Sequence, residues 1–577
     1  MPNSTTQVLQ RIRDNVIGAY APLPTPFGVR PLVYADYTAS GRSLASIEAQ
    51  LARHVLPWYA NTHTETSFTG AQTTALREEA RRTIHRALNG SEQDKIIFCG
   101  SGATAAINRL IDILNLRLPA DLDARYGLAK AIPADERPVV FVGPYEHHSN
   151  ELPWRESIAD VVAIPLDAEG AIDRGALADA LAAYSVRPLR IGAFSAASNV
   201  TGIRSDVPAI TRQLREAGAL AFWDYAAAGP YLRINLNAAG APIDAVFLSP
   251  HKFVGGPGTP GVLAVKASLL SNRVPAVVGG GTVAFVSPQD HRFLDDPERR
   301  EEGGTPAIVE SIRAGLVFSL QQQVGADNIE KLEKALIRRA LRRLTLAPNI
   351  EILGGTTADR LSIVSLRFHH GARELHYGFV VALLNDLFGI QARGGCSCAG
   401  PYGHALLGLT RDRSRALDAS VAAGESARRP GWVRLNFNYF IDDDEFEYLL
   451  RALELVAEHG WHLLPAYRLD SRAGLWRHRD GAAELTVSLA AMDPLGVATA
   501  QPRDEKPDFV ALLQQAERVL HGGAAAAHCA AAAAEIPWKG DCEQLRWFVL
   551  GREVVERRAH AEGEVAHAST GPASLTR

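Results

Sequence analysis

The sequence predicts an α/β protein: a large, mostly parallel sheet followed by a smaller α+β unit. Three observations carry this. Short apolar runs recur at 138–143, 160–165, 190–195, 219–224, 244–248 and 261–265. Several are near-continuous rather than alternating, as in strands buried on both faces. Helical stretches such as 206–216 separate some of them, the alternation expected of crossover-linked parallel strands.

Taken in order, residues 72–88 place Leu76, Ala80, Ile84 and Leu88 four apart, one apolar helix face. The run Ile96-Ile97-Phe98-Cys99 follows, then Gly100-Ser101-Gly102-Ala103-Thr104, then a helical pattern from Ala105 to Leu116. This reads as strand, glycine turn, helix. The pattern is helical from 306 to 346. A second unit spans 347–465, with a strand at 364–368 and a helix around 375–388. A glycine- and cysteine-rich loop at 393–400, a strand at 432–437 and a helix from Asp442 to Glu458 complete it. The expected division is an N-terminal segment 1–30, a large domain 31–305, a small domain 306–470 and an extension 471–577. The stretch from Gly522 to Ala534 is alanine-rich, and the small, polar end 560–577 is expected to be disordered.

With 577 residues the chain exceeds one ordinary core. Lys+Arg 60 against Asp+Glu 64 leaves a formal charge of -4, which gives no electrostatic reason for a nucleic-acid or membrane partner. The start lacks the apolar core of a signal peptide, and no apolar run reaches the roughly 18 residues of a span. Five cysteines in such a chain are no disulfide framework, so a reducing cytoplasm is expected.

Ligands of such sheets bind beyond the carboxyl ends of the strands, so the polar residues there are the candidates. Ser249-Pro250-His251-Lys252 follows the run 244–248. A buried ammonium is costly, and a Schiff base with an aldehyde cofactor is one solution. A lysine reaching out from a strand end fits the motif equally well. Asp224 ends the run Phe222-Trp223; it suits a pyridinium partner or a helix cap. The Gly100–Thr104 turn opens a helix and suits a phosphate, although such turns are also plain connectors. In Glu146-His147-His148-Ser149-Asn150 a histidine suits ring stacking and proton handling. Adjacent histidines on an extended segment point opposite ways, so they do not share a metal.

Together and in order, YADYTASG (34–41), CGSGATAAIN (99–108), EHHSN (146–150), SNVTG (198–202), WDYAA (223–227), SPHK (249–252), GGGTV (279–283), REEGGTP (300–306), RGGCSCAGP (393–401) and VRLNF (433–437) resemble the class V aminotransferase superfamily. The resemblance is to the cysteine desulfurase/selenocysteine lyase branch of the fold-type I enzymes that use pyridoxal 5′-phosphate (PLP). It runs from about Tyr34 to Leu455. It implies that Lys252 holds PLP and moves the Cα proton, that Asp224 pairs with the pyridinium nitrogen, and that His147 stacks on the ring. Asn199 would orient the ring or the substrate carboxylate. Thr104, Ser249, His251 and the Ala103 backbone would bind the phosphate. Thr305 would reach the phosphate of the partner subunit in a homodimer. Arg434 would clamp the carboxylate of an amino-acid substrate. The pattern R-x-G-x-x-C-A puts the reactive cysteine at Cys398, which would take sulfur from L-cysteine as a persulfide and leave alanine. The flanking glycines would let that loop swing, and Arg393 would favour the thiolate. A sulfur-acceptor protein would then be a partner. Cys396 is either a second, relaying thiol or core filler. No metal site is expected, because Cys-x-Cys has no matching cluster.

The chain departs from the family at three places. Ala227 stands where the family has a glutamine that bonds the PLP phenolic oxygen. Asn436 replaces a serine, and Phe440-Ile441-Asp442 replaces an aromatic-Asn-Thr. Other readings therefore stay open: an aminotransferase or other PLP lyase in which Cys398 is incidental, a non-catalytic sulfur-transfer partner, or a molybdenum-cofactor sulfurase variant.

Overall fold

The computed structural model describes residues 4–62, 64–481, 487–496, 504–523, 525–535, 541–557 and 559–560. The disordered tail expected at 560–577 therefore lies, apart from His560, outside the described residues.

The large sheet has seven strands: β1 (Asp94–Cys99), β2 (Val139–Val142), β3 (Asp160–Ala163), β4 (Arg190–Ser195), β5 (Leu220–Asp224), β6 (Ala245–Leu248) and β7 (Gly261–Lys266). Their order is β1-β7-β6-β5-β4-β2-β3. Every pairing from β6 to β3 is parallel. β7 runs antiparallel to both its neighbours. Each apolar run of the sequence is one of these strands.

The continuous runs are explained by burial on both faces. Ile97, Val140, Phe222 and Phe247 face one cluster, which includes α2 (Gly102–Ile113). Phe98, Phe141, Trp223 and Val246 face another. That second face is covered by α4 (Ile308–Val324), which packs on α1 (Phe68–Ala87). Caps set the helix starts. Ser67 Oγ accepts from the Gly70 N–H at the start of α1, and Asp206 from the Ala209 N–H at the start of α3 (Val207–Glu216). The helical pattern 306–346 is two helices, because Gly325, at φ 86°, ends α4 before α5 (Ala326–Leu344).

The second sheet comprises β8 (Ile350–Ile352), β9 (Ile363–His370), β10 (Arg373–Leu375), β11 (Arg393–Gly395) and β12 (Trp432–Asn436). Its helices α6 (Tyr377–Phe388) and α7 (Asp443–His459) pack in one core with it. Phe509 and Leu520 of α8 (Phe509–His521) lie in that core, as do Phe548 and Val554. The extension is thus built onto the small sheet. No helix among the described residues is long and apolar enough to cross a membrane.

Candidate active site

The carboxyl ends of β1, β2, β4, β5 and β6 open on one cavity of about 210 Å³. Thr104, His147, Asn199, Asp224 and Lys252 line it from these ends, and Arg393, Cys398 and Arg434 from the second sheet. Of the residues predicted from sequence, Ala103, Ser249 and His251 also line it. Thr305 does not: it is exposed, and its Oγ1 accepts from Asn61 Nδ2 at 3.2 Å.

One end of the cavity is an anion cradle. Gly102 opens α2 at φ 56°, and a Cβ there would stand 2.8 Å from Ser249 Oγ and His251 Cε1. The Ser101 side chain makes no capping bond, so the helix start is not closed by its own cap residue. The Ala103 N–H donates to Ser249 Oγ (2.9 Å), and the Thr104 and Ser149 hydroxyls are 2.6 Å apart. Burial and the Lys252 charge hold the His251 ring down to about 4, so it is neutral at pH 7.

The middle of the cavity sets a carboxylate against an amine. Asp224 is buried, and its Oδ1 accepts from the Ala226 N–H at 2.7 Å. Burial pushes the carboxyl up, opposed by that N–H and by Lys252. Lys252 is half-buried at the cavity wall. Burial brings its amine down to about 8, with Asp224 pulling the other way and Arg434 and Arg393 adding to the fall. His147 falls to about 3 through burial, then through the charge of Lys252. The Ser149 N–H donates to His147 Nδ1 (3.1 Å), so the neutral ring carries its proton on Nε2. Tyr225 does not line the cavity, and Ala226 and Ala227 do.

At the far end, Arg434 is 3% exposed. Its Nη1 donates to the Asn199 carbonyl (3.1 Å) and its Nη2 to Asp36 Oδ1 (3.0 Å). Asp36 also faces Arg393, with Nε 3.4 Å from Oδ2. The fork predicted for a substrate carboxylate is therefore engaged by a carboxylate of the chain itself. Among the described residues, Asn199 Oδ1 and Arg434 Nε are buried without a hydrogen-bond partner.

Cys398 is exposed and is one of two consecutive residues, with Ser397, at φ 55°. Its carbonyl accepts from the His148 N–H (2.8 Å). Asn199 Nδ2 donates to the Ser397 carbonyl (2.8 Å), and the Gly400 N–H to His148 Nε2 (2.9 Å). The loop is thus pinned at three points. Gly394 and Gly395 pair with β12 as strand; a Cβ on Gly394 would lie 2.8 Å from the Tyr377 ring, and Gly395 stands at φ 117°.

Sequence reasoning missed Asp36, Glu146 and Ser195. Ser195 lines the cavity, donates through N (2.8 Å) and Oγ (2.6 Å) to buried Glu146, and is paired in register with Asp224. Burial lifts Glu146 to about 7. Asp36 and Glu146 stand inside the quoted motifs, but nothing local marks their partners.

The family model for aminotransferase class-V matches residues 33–411. A probable cysteine desulfurase of Halalkalibacterium halodurans is 28% identical over 437 residues, covering 75% of this chain and 95% of that one. One of Streptomyces coelicolor is 28% identical over 371 residues, covering 64% and 84%. Among solved structures, the cysteine desulfurase of Thermococcus onnurineus superposes with a TM-score of 0.62 at 22% identity, over 78% of this chain and 98% of that one. Escherichia coli CsdA gives 0.58 at 23%, with the same coverage. These two show the fold.

Proposed function

The chain belongs to the aminotransferase class-V family, and from that premise we propose that it is a PLP-dependent cysteine desulfurase. It converts L-cysteine to alanine and keeps the sulfur as a persulfide on Cys398. The carrying observation is that an exposed thiol, Cys398, lines the same cavity as the Lys252–Asp224 pair. The residues fit the cofactor. The uncapped turn at Gly102 with Ser249, Thr104 and His251 suits its phosphate, buried Asp224 its ring nitrogen, and Lys252 its aldehyde. When bound, PLP supplies an electron sink for the substrate's Cα and Cβ.

The chain's own residues do the rest. Lys252, with its amine near 8, holds the cofactor and carries a proton to and from Cα on Nζ. His147, neutral with its proton on Nε2, would stack on the cofactor ring and could pass that proton as an acid. Asp224, kept dry, holds a proton on the ring nitrogen. Arg434 and Asn199 seat the substrate carboxylate, for which Asp36 must yield. Cys398 Sγ bonds to the substrate sulfur as that sulfur leaves Cβ, so L-cysteine and a thiol become alanine and a persulfide, with atoms and electrons balanced. Thr305, exposed and outside the cavity, reaches the phosphate of a second subunit in a homodimer, and an acceptor protein takes the sulfur. The reading divides the chain near 305 and 470 and sets it in the cytoplasm, which the free thiols of Cys99, Cys396, Cys398 and Cys529 support.

A second reading, another PLP lyase or an aminotransferase acting on a different amino acid, is favoured by Ala227 lining the cavity where the family has a glutamine. One experiment separates them. Purified protein is scanned for a cofactor absorbance band before and after L-cysteine, with alanine and sulfide assayed in the same tube. The first reading expects both products, with Cys398→Ala abolishing them and Lys252→Ala abolishing the band. A band with no product from cysteine leaves the second.

A further inference from the structure

The hairpin Tyr467–Asp470 and Leu475–His478 meets the short turn Ala526–His528 at three side chains, His478, Asp480 and His528. Their ligand atoms all lie within 4.8 Å of one another. His528 Nε2 is 3.3 Å from Asp480 Oδ2, and His478 Nδ1 is 3.7 Å from the same oxygen. Ligands about 2.0–2.1 Å from a tetrahedral ion stand roughly 3.3–3.4 Å apart. One edge therefore already has that length, the second is a few tenths of an ångström long, and the third closes by turning an imidazole. None of the three residues lines the catalytic cavity.

The site is built rather than incidental. His478 is 8% exposed and sits edge-on to Phe27 (5.2 Å) and Tyr467 (5.1 Å), which fix its ring. The His528 ring stands at 84° to it, 5.4 Å away. The Asp480 N–H lies 3.3 Å from His478 Nδ1, a long hydrogen bond that an ion would replace. Asp480 is exposed and His528 half-buried, so the remaining coordination position opens to water. Two imidazoles and one carboxylate suit zinc or a neighbouring first-row ion rather than calcium or magnesium.

We propose that His478, Asp480 and His528 bind one divalent transition-metal ion, of the zinc class, that ties the turn at 526–528 to the hairpin. An Arg479–Glu535 ion pair joins the same two segments, so the ion adds to a contact already present. The ligands come from distant parts of the chain, which is why no Cys/His spacing in the sequence announces them.

The test uses the full chain, stripped with a chelator and titrated with Co²⁺, then with Zn²⁺. The expected result is one Co²⁺ equivalent with the visible absorbance of a four- or five-coordinate site, displaced by Zn²⁺. Zn²⁺ should also raise Tm. Asp480→Asn and His528→Gln alter solvent-reaching residues, keep the far-UV spectrum and lose that equivalent. No equivalent in the unaltered chain, or the same equivalent and spectrum in both variants, overturns the proposal. Loss of the signal in Cys398→Ala instead assigns the ion to the cysteine loop and overturns it equally.

Discussion

Asp36→Asn tests whether the chain's own carboxylate holds Arg434, the arginine proposed to seat the substrate. The change keeps shape and removes charge. Asp36 Oδ1 is 3.0 Å from Arg434 Nη2, with the two side chains 15% and 3% exposed. Charge centres about 4 Å apart at an effective dielectric near 20 attract by about 4 kcal/mol. Arg393, the second partner, is 51% exposed, so its share is screened to roughly 0–1 kcal/mol. The amide keeps a neutral hydrogen bond worth about 1 kcal/mol, leaving a loss of about 3–4 kcal/mol. Burial already pushes the Arg434 pKa down and Asp36 is the main opposing influence, so the variant leaves a buried cation uncompensated. With about 2.1 cal/mol/K of unfolding entropy per residue, a chain of 577 residues shifts by about 1 °C per kcal/mol, so Tm should fall by roughly 2–4 °C. The freed fork should also seat a carboxylate more readily, so L-cysteine should restore more Tm in the variant than in the unaltered chain. Calorimetric scans with and without L-cysteine read both effects. An unchanged Tm together with an unchanged response to L-cysteine would refute the reasoning, since it would mean that Asp36 neither stabilises Arg434 nor competes for it.

Three further outcomes follow from the site and its surroundings. The Lys252 amine, brought to about 8 by burial, is reactive when deprotonated, so cofactor uptake by the stripped protein should speed up through a midpoint near pH 8; a midpoint near 10 in stopped-flow absorbance would contradict this. Gly102→Ala puts a Cβ at φ 56°, 2.8 Å from Ser249 Oγ; strain of about 1–2 kcal/mol plus that clash should weaken cofactor binding about tenfold or more by equilibrium titration, with Gly100→Ala, whose nearest neighbour is 3.8 Å away, as the tolerant control. His376 is fully buried, stacked on Trp547 at 5.1 Å, and held to about 3 by burial. Its folded pKa lies below the unfolded value near 6.5, so the unfolded chain binds more protons between them. Stability should therefore drop as pH falls from about 6.5 toward 3, and Tm against pH should be shallower in His376→Gln.

The strands of the large sheet were legible because both of its faces are buried, so an apolar run and a strand are the same thing there. Lys252, Asp224 and Cys398 were legible too, since each stands just past such a run or inside a distinctive short motif. What escaped was pairing across distance. Asp36 joins Arg434 and Arg393 from the opposite end of the chain, and Glu146 acts through Ser195; no local period records either partner. The cysteine loop shows how far local reading goes. Glycines beside a cysteine suggest motion when read alone; the fold adds that Gly394 is also required by the ring of Tyr377 and the strand β12. The positive φ of Ser397 and Cys398 is sustained by His148 and Asn199, which the chain brings from two other strand ends. Asn199 thus bonds the cysteine loop through its side chain and accepts from Arg434 at its backbone carbonyl. A shift of Arg434 toward a substrate would be felt at Ser397, which couples carboxylate seating to the position of the thiol. The coupling is a property of the folded cavity, and only the assembled strand ends reveal it.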